Sequence, residues 1–232
     1  VTLLTEHNPK TAKGEAAGYL TAILHLAPAS RAGCGNVCPA STAGCRAACL
    51  NTAGRGGILA KGATTNGIQE ARKRRTVLYK LDRPGFEAAL ARAIERHVAR
   101  AQRLKLAPCV RINGTSDLPG LARAMAGRFP GVQFYDYTKV PRPWERERSN
   151  YHLTFSRSES NAAEVRAALA HGVNVAVVFA VRKGEPLPPT YLGRRVVDGD
   201  LNDLRFLDPR GVVVGVRAKG KAMRDATGFV VR

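Results

Sequence analysis

Apolar positions along the chain fall into short runs punctuated by glycine, proline and polar clusters. The first run, "GYLTAILHLAPA", predicts a buried strand over Tyr19–Leu26, closed by Pro28. Further strands are expected at "PCVRING", "VQFYDY", "NYHLTFS", "VNVAVVFAV", "RRVVDGD" and "GVVVGVRA". Helical periodicity lies between them. "TTNGIQEARKRRTVLYKL" reads as a helix from about Gly67, and the turn "DRPG" separates it from a longer one over Pro84–Leu104. There Phe86, Leu90, Ile94 and Val98 recur at every fourth residue, with Pro84 near the start, where its missing N–H costs nothing. "LPGLARAMAGRF" and "SNAAEVRAALAHG" give two more helices, the second stopping at Gly172.

Repeated β-then-α units with continuously apolar strands indicate a parallel sheet. Seven such strands in 232 residues predict a single α/β domain built as a full or partial (β/α) barrel with mostly parallel strands. The domain is expected over residues 18–232, preceded by a polar arm over 1–17. No repeat of fixed period and no low-complexity linker interrupts it. No apolar run approaches the roughly 18 residues that a membrane span requires. "VTLLTEHNPK" lacks the pattern of a signal peptide, so a cytoplasmic, reducing location is expected.

Charge changes the picture. Thirty-seven Lys and Arg against 18 Asp and Glu give a net charge of +19. A polyanionic partner follows, because each neutralised phosphate releases counterions. Nucleic acid, DNA ahead of RNA, is the expected partner, and no basic amphipathic segment with bulky apolar anchors points to a membrane. The densest basic run is Arg72, Lys73, Arg74 and Arg75 on a predicted helix. A second cluster, "RPWERER", sets Trp144, the only tryptophan, beside Arg142, and can either stack on an unpaired base or pack as a lid. Arg92, Arg96, Arg100 and Arg103 form a stripe opposite the apolar face of the long helix, which fits a solvated surface equally well. With no sequence-reading module present, contact with the backbone is expected rather than with base edges.

Four of the five cysteines, Cys34, Cys38, Cys45 and Cys49, lie in a glycine-rich segment, residues 33–57, with the spacing C-x₃-C-x₆-C-x₃-C. In a reducing compartment such a cluster reads as a metal site rather than as disulfides. On chemistry alone zinc and an iron–sulfur cluster are both open. Cys109 opens a strand and is expected in the core. With five histidines and no H-x-x-x-H or H-x-E pattern, zinc protease and zinc deaminase chemistry find little support, and neither a P-loop nor a G-x-S-x-G elbow occurs.

In α/β sheets of this kind chemistry sits beyond the carboxyl ends of the strands. Those ends carry Asn113, Gly114, Ser116 and Asp117, then Asp136 and Lys139, then Ser156, Arg157, Ser158 and Glu159. Asp117, Asp136, Lys139 and Glu159 are the candidate catalytic groups, and Asn113, Gly114, Ser116 and Ser156 the candidate cofactor contacts. The competing reading makes Asp117 and Ser158 simple helix caps. Lys139 can form a Schiff base if desolvated. Asp198 and Asp200, flanking Gly199, can ligate a hard cation.

A cysteine loop after the first strand of a β/α barrel, followed by a glycine-containing second mouth, resembles the radical S-adenosylmethionine superfamily. The resemblance implies a 4Fe–4S cluster on three cysteines, with S-adenosylmethionine bound at its open iron. The family spacing is C-x₃-C-x₂-C with a G-G-E-P-like second motif. Here Cys34, Cys38 and Cys45 give C-x₃-C-x₆-C, and "NGTSDLP" stands at the second motif. The chain also resembles a group of bacteriophage proteins through "GNVCPASTAGC", "NGTSD", "YDYTK" and "YHLTFSRSE", over roughly residues 8 to 230. This implies a phage-encoded barrel protein. The leading expectation is an iron–sulfur enzyme that modifies nucleic acid. One alternative is a zinc-stapled nucleic-acid-binding or replication protein. Another is a Mg²⁺-dependent nuclease using Asp117, Asp136, Asp198 and Asp200.

Overall fold

The computed structural model describes residues 2–6 and 9–232. Nine strands form one sheet: β1 (Leu4–Thr5), β2 (Tyr19–Leu24), β3 (Ala107–Arg111), β4 (Gln133–Thr138), β5 (Tyr151–Ser156), β6 (Val175–Phe179), β7 (Thr190–Tyr191), β8 (Arg194–Asp198) and β9 (Val213–Arg217). Six α-helices accompany them: α1 (Pro9–Glu15), α2 (Ala43–Ala47), α3 (Gly67–Leu81), α4 (Arg83–Arg103), α5 (Pro119–Arg128) and α6 (Ala162–Ala170). The spatial order is β1-β2-β3-β4-β5-β6-β9-β8-β7. From β2 through β9 to β8 all neighbours are parallel, and only the edge strands β1 and β7 pair antiparallel. Among the described residues no pairing joins β1 to β7, so the sheet is mixed, mostly parallel, and has two edges.

The winding explains where a site can form. β2 to β6 are neighbours in chain order, and right-handed crossovers that always step the same way put their helices on one face. One apolar cluster joins Leu24, Val110, Phe134 and Leu153 of the sheet to Leu90 and Ile94 of α4 and Met125 of α5. A second joins Phe155, Val175 and Val177 to Val165 and Leu169 of α6. Phe86, Leu90 and Ile94 are fully buried, as their spacing on α4 requires, and each contributes about 1.5–3 kcal/mol. Strand side chains alternate, so the opposite face receives Cys109, Arg111, Tyr135, Tyr137 and Ser156 and is free to line a cavity. At one end that face is closed by a small cluster of Cys109, Tyr135 and Leu204 with Tyr19 and Phe206.

The first 17 residues depart from the expected polar arm. Leu3 and Leu4 are buried, β1 pairs with Leu24 and Ile23 of β2, and α1 packs against β2. His97 of α4, fully buried, secures this segment by binding the Leu20 carbonyl at 3.0 Å and Glu6 at 2.9 Å. Val1, His7 and Asn8 lie outside the described residues. The β7–β8 hairpin turns through Leu192 and Gly193, both with positive φ (51° and 70°), the geometry of a tight two-residue turn. Among the described residues no helix is long and apolar enough to cross a membrane.

Candidate functional site

The cysteine segment leaves β2 through Ala29, whose N–H donates to Cys38 Sγ at 3.2 Å. The fully buried Val37 fixes the loop from inside, its carbonyl accepting the Asp117 N–H. α2 begins at Thr42, whose hydroxyl oxygen accepts the Cys45 N–H at 3.2 Å. Glu159, just beyond β5, reaches across and accepts both the Thr42 hydroxyl (2.8 Å) and the Gly44 N–H (2.7 Å). Burial works against its ionisation, but these donors hold its carboxyl below the usual range. Gly44 is required here, because a Cβ would lie 2.2 Å from Thr227 Oγ1 and 2.7 Å from Phe229 Cβ. At the far end of the loop, Asn51 donates its N–H to Cys49 Sγ at 3.5 Å and is gripped by Arg72 Nη1, 2.7 Å from its side-chain oxygen. Two charged clamps, Glu159 and Arg72, thus hold the loop to β5 and α3.

Three of the four thiols converge. Cys38, Cys45 and Cys49 line one cavity of about 410 Å³ at the carboxyl ends of the strands, and Cys34 is not part of its wall. Burial pushes the Cys38 thiol up to about 12, and the neighbouring Asp117, Cys49 and Cys45 add to the rise. Burial raises Cys49 likewise, again with Cys45 contributing. Cys38 and Cys49 are therefore desolvated and held protonated unless a cation joins them. Of the four cysteines expected as metal ligands, Cys38, Cys45 and Cys49 border the cavity, a set with the spacing C-x₆-C-x₃-C, and Cys34 does not. Among the described residues no three His, Cys, Asp or Glu side chains are gathered tightly enough to hold a single metal ion. The four cysteines of the segment are free thiols.

The strand-end groups divide into supports and lining. Asp136 is buried and does not reach the cavity. It accepts the Asn113 N–H (2.7 Å), the Asn113 amide (2.9 Å) and the Tyr151 hydroxyl (3.3 Å). Asn113 in turn accepts the Ser116 hydroxyl and the Leu118 N–H, so the second mouth is one hydrogen-bonded unit. Gly114 belongs to it because a Cβ would lie 2.7 Å from Ile23 Cγ2 and 2.8 Å from the Leu24 carbonyl oxygen. Asp117 caps no helix. It accepts the Thr138 hydroxyl and the Lys139 N–H, both at 2.7 Å, tying the second mouth to the third. Ser158 makes no cap either: the N-cap of α6 is Asn161, without a side-chain cap bond, and the buried Ser158 hydroxyl has no partner among the described residues.

Burial raises the Asp136 carboxyl to about 7 against the pull of Asn113 and Arg111. Its folded value lies above its unfolded one of about 3.9, so the unfolded state binds fewer protons between the two. Its contribution to stability is therefore present at low pH and lost as pH rises from about 4 to about 7. Carbon-13 NMR of the Asp136 carboxyl is expected to show a midpoint near 7. A midpoint near 4 would show that Asn113 and Arg111 outweigh burial.

The acidic groups proposed for a nuclease are already engaged. Arg217 donates to Asp198 at 2.8 Å and to Asp200 at 3.2 Å, Lys219 pairs with Asp200, and Asp117 and Asp136 are held by neutral donors. Asp203 accepts Arg111 at 2.9 Å in the cavity floor, where the guanidinium also lies 4.7 Å from the Tyr137 ring centroid. Arg111, Arg217 and Phe229 were not among the expected site residues. An arginine inside the apolar strand "PCVRING" was the available signal, since such a residue must find a buried partner.

Two members of the basic run on α3, Arg72 and Arg75, are directed inward. Arg72 is the clamp on Asn51, Lys73 pairs with Glu70 at 2.8 Å, and Arg75 donates to the Thr2 and His25 carbonyls. Arg74 alone of the four is exposed. Arg142 is exposed at positive φ and pairs with Glu145, and Trp144 stacks on His171 with ring centroids 4.0 Å apart. Trp144 is partly buried against the α6 cluster. The cations that face the cavity are others, Lys139 and Arg157 among them.

No curated protein and no solved structure matches the chain. The family model of gene product 88, a phage protein family, matches residues 2–232, and the chain belongs to that family.

Proposed function

We propose that the chain is an iron–sulfur enzyme of the radical type, with Cys38, Cys45 and Cys49 as the cluster ligands and the adjoining cavity as the substrate site. The observation that carries this reading is the convergence of three thiols, and not four, on the wall of one cavity. Their chemistry fits the group: soft sulfur donors, two of them desolvated, on a loop held at both ends. A cluster bound by three thiolates supplies one-electron chemistry to a ligand at its open iron, S-adenosylmethionine in the superfamily that the chain resembles.

The chain's own residues do the rest. Glu159 and Arg72 orient the loop from opposite ends. The Asn113–Ser116–Asp136 unit presents the second mouth, and Asp117 fixes Lys139 beside it. The cavity floor is closed by the Arg111–Asp203 pair, which limits water entry from below. The one-directional winding of β2 to β6, with α4, α5 and α6 packed on the face away from the cavity, supports a partial barrel curled around it. The net charge of +19 supports nucleic acid, DNA first, as the partner from which substrate is drawn, in the host cytoplasm of a phage-encoded protein.

The test is the iron, sulfide and zinc content of protein purified without oxygen, with an absorption spectrum of the same sample. About four irons and four sulfides per chain, with a broad band near roughly 400 nm, are expected. One zinc and no iron would overturn the reading and leave a zinc-stapled nucleic-acid-binding protein.

A further inference from the structure

The cavity wall holds many more cations than carboxylates, and the carboxylates are spent. Its three aspartates are Asp117, Asp200 and Asp203. Asp203 is matched by Arg111, Asp200 by Arg217 and Lys219, and Asp117 faces a hydroxyl and a backbone N–H. Two further cations at adjacent strand ends, Lys139 after β4 and Arg157 after β5, have no carboxylate within ion-pair distance among the described residues. Both are directed at the same residue. Lys139 Nζ lies 5.6 Å from the Phe229 ring centroid, and Arg157 Nη1 donates to the Phe229 carbonyl at 2.8 Å. Glu159, the nearest acid in sequence, is committed to Thr42 and Gly44. Phe229 itself packs in the small cluster that Cys45 adjoins, and both cations share the cavity wall with that thiol.

Two like charges in one half-buried wall, one over the Phe229 ring and one on the Phe229 main-chain carbonyl, repel each other, and an anion between them reverses the sign of that interaction. We infer that Lys139 and Arg157, with Ser156 beside them, form a binding subsite for the oxyanion group, phosphate or carboxylate, of a small-molecule ligand. A cavity of about 410 Å³ takes a ligand of nucleotide size and not a duplex. The inference rests on the reading of this cavity as the substrate site, and not on the metal its thiols hold. Arg157 supplies a planar fork of donors to the oxyanion and Lys139 a point charge.

The experiment is isothermal titration of the full chain, purified without oxygen, with deoxyadenosine monophosphate, deoxyadenosine and succinate, with iron measured on the same sample. Deoxyadenosine monophosphate is expected to bind at least about tenfold more tightly than deoxyadenosine, with affinity falling as salt rises. Lys139→Met and Arg157→Met are each expected to weaken it about tenfold or more, and Lys139→Arg to retain most of it. Succinate binding that is lost in the same variants would assign the subsite to a carboxylate. Equal binding of monophosphate and nucleoside overturns the inference, as does binding of neither anion, or unchanged affinity in a Lys139→Met variant that melts like the parent protein. Anion binding by iron-free protein keeps the subsite and removes the cluster, whereas iron without anion binding does the reverse.

Discussion

Cys38→Ala, Cys45→Ala and Cys49→Ala are each expected to abolish the broad absorption near roughly 400 nm and to bring iron from about four per chain to below about one, whereas Cys34→Ala leaves both in place. The asymmetry follows from the fold. Cys38 is drawn inward by the Ala29 N–H and by Val37, which is fully buried; Cys45 sits on α2 under the Glu159 clamp; Cys49 is fixed through Asn51 by Arg72. Cys34 lies between Gly33 and Gly35, both at positive φ, in a turn that contributes nothing to the cavity wall. A thiolate lost from a three-ligand site leaves two, too few to retain a cluster, so the effect is a loss and not a graded weakening. Iron retained in any of the Cys38, Cys45 or Cys49 variants would sink the assignment. Loss in Cys34→Ala as well would mean a closed four-ligand site, with no open iron and no radical chemistry.

The spacing alone does not say which of the four cysteines share one wall. C-x₃-C-x₆-C-x₃-C reads almost the same from either end, and nothing in it says which outer cysteine turns toward the strands. That depends on contacts distant in sequence, Val37 with Asp117 and Gly44 with Phe229. The same limit applies to the basic run. Arg72 was expected to contact nucleic acid, yet the buried face of α3 is Gln69, Arg72, Thr76 and Tyr79, a helical stripe with three polar members. By contrast, strands β2 to β6, β8 and β9 and helices α3 to α6 were legible to within a few residues, because their apolar periodicity is imposed by burial on the helix-covered face. β1 escaped detection because Leu3 and Leu4 alone carry it, a run too short for any period. The strand mouths were legible as places but not as roles. Asp136, Asp117 and Glu159 stand where acids at strand ends are expected, and each is turned to hold backbone or side-chain donors of a neighbouring loop.

Arg111→Met is expected to destabilise the chain by about 3–5 kcal/mol, the cost of removing one member of a buried ion pair. Arg111 and Asp203 are 6% and 7% exposed and meet at 2.9 Å in the cavity floor. Burial opposes the charged guanidinium, and Asp203 restores it, with Tyr137 and Tyr135 adding to that pull. Without Arg111, the Asp203 carboxylate keeps the weaker contact with the Tyr135 hydroxyl at 3.5 Å. Against a total stability of about 5–15 kcal/mol this is a large fraction, and the melting temperature is expected to fall by about 10 °C or more. Urea denaturation of Arg111→Met, Asp203→Leu and the double variant measures it. The double variant is expected to recover more than about 1 kcal/mol over the sum of the singles, since it removes both charges together. Additive effects, or a loss under about 1 kcal/mol in Arg111→Met, would show that water reaches the floor and solvates Asp203. The cavity would then be open below, and the exclusion of water that radical chemistry demands would have to come from the cysteine loop above.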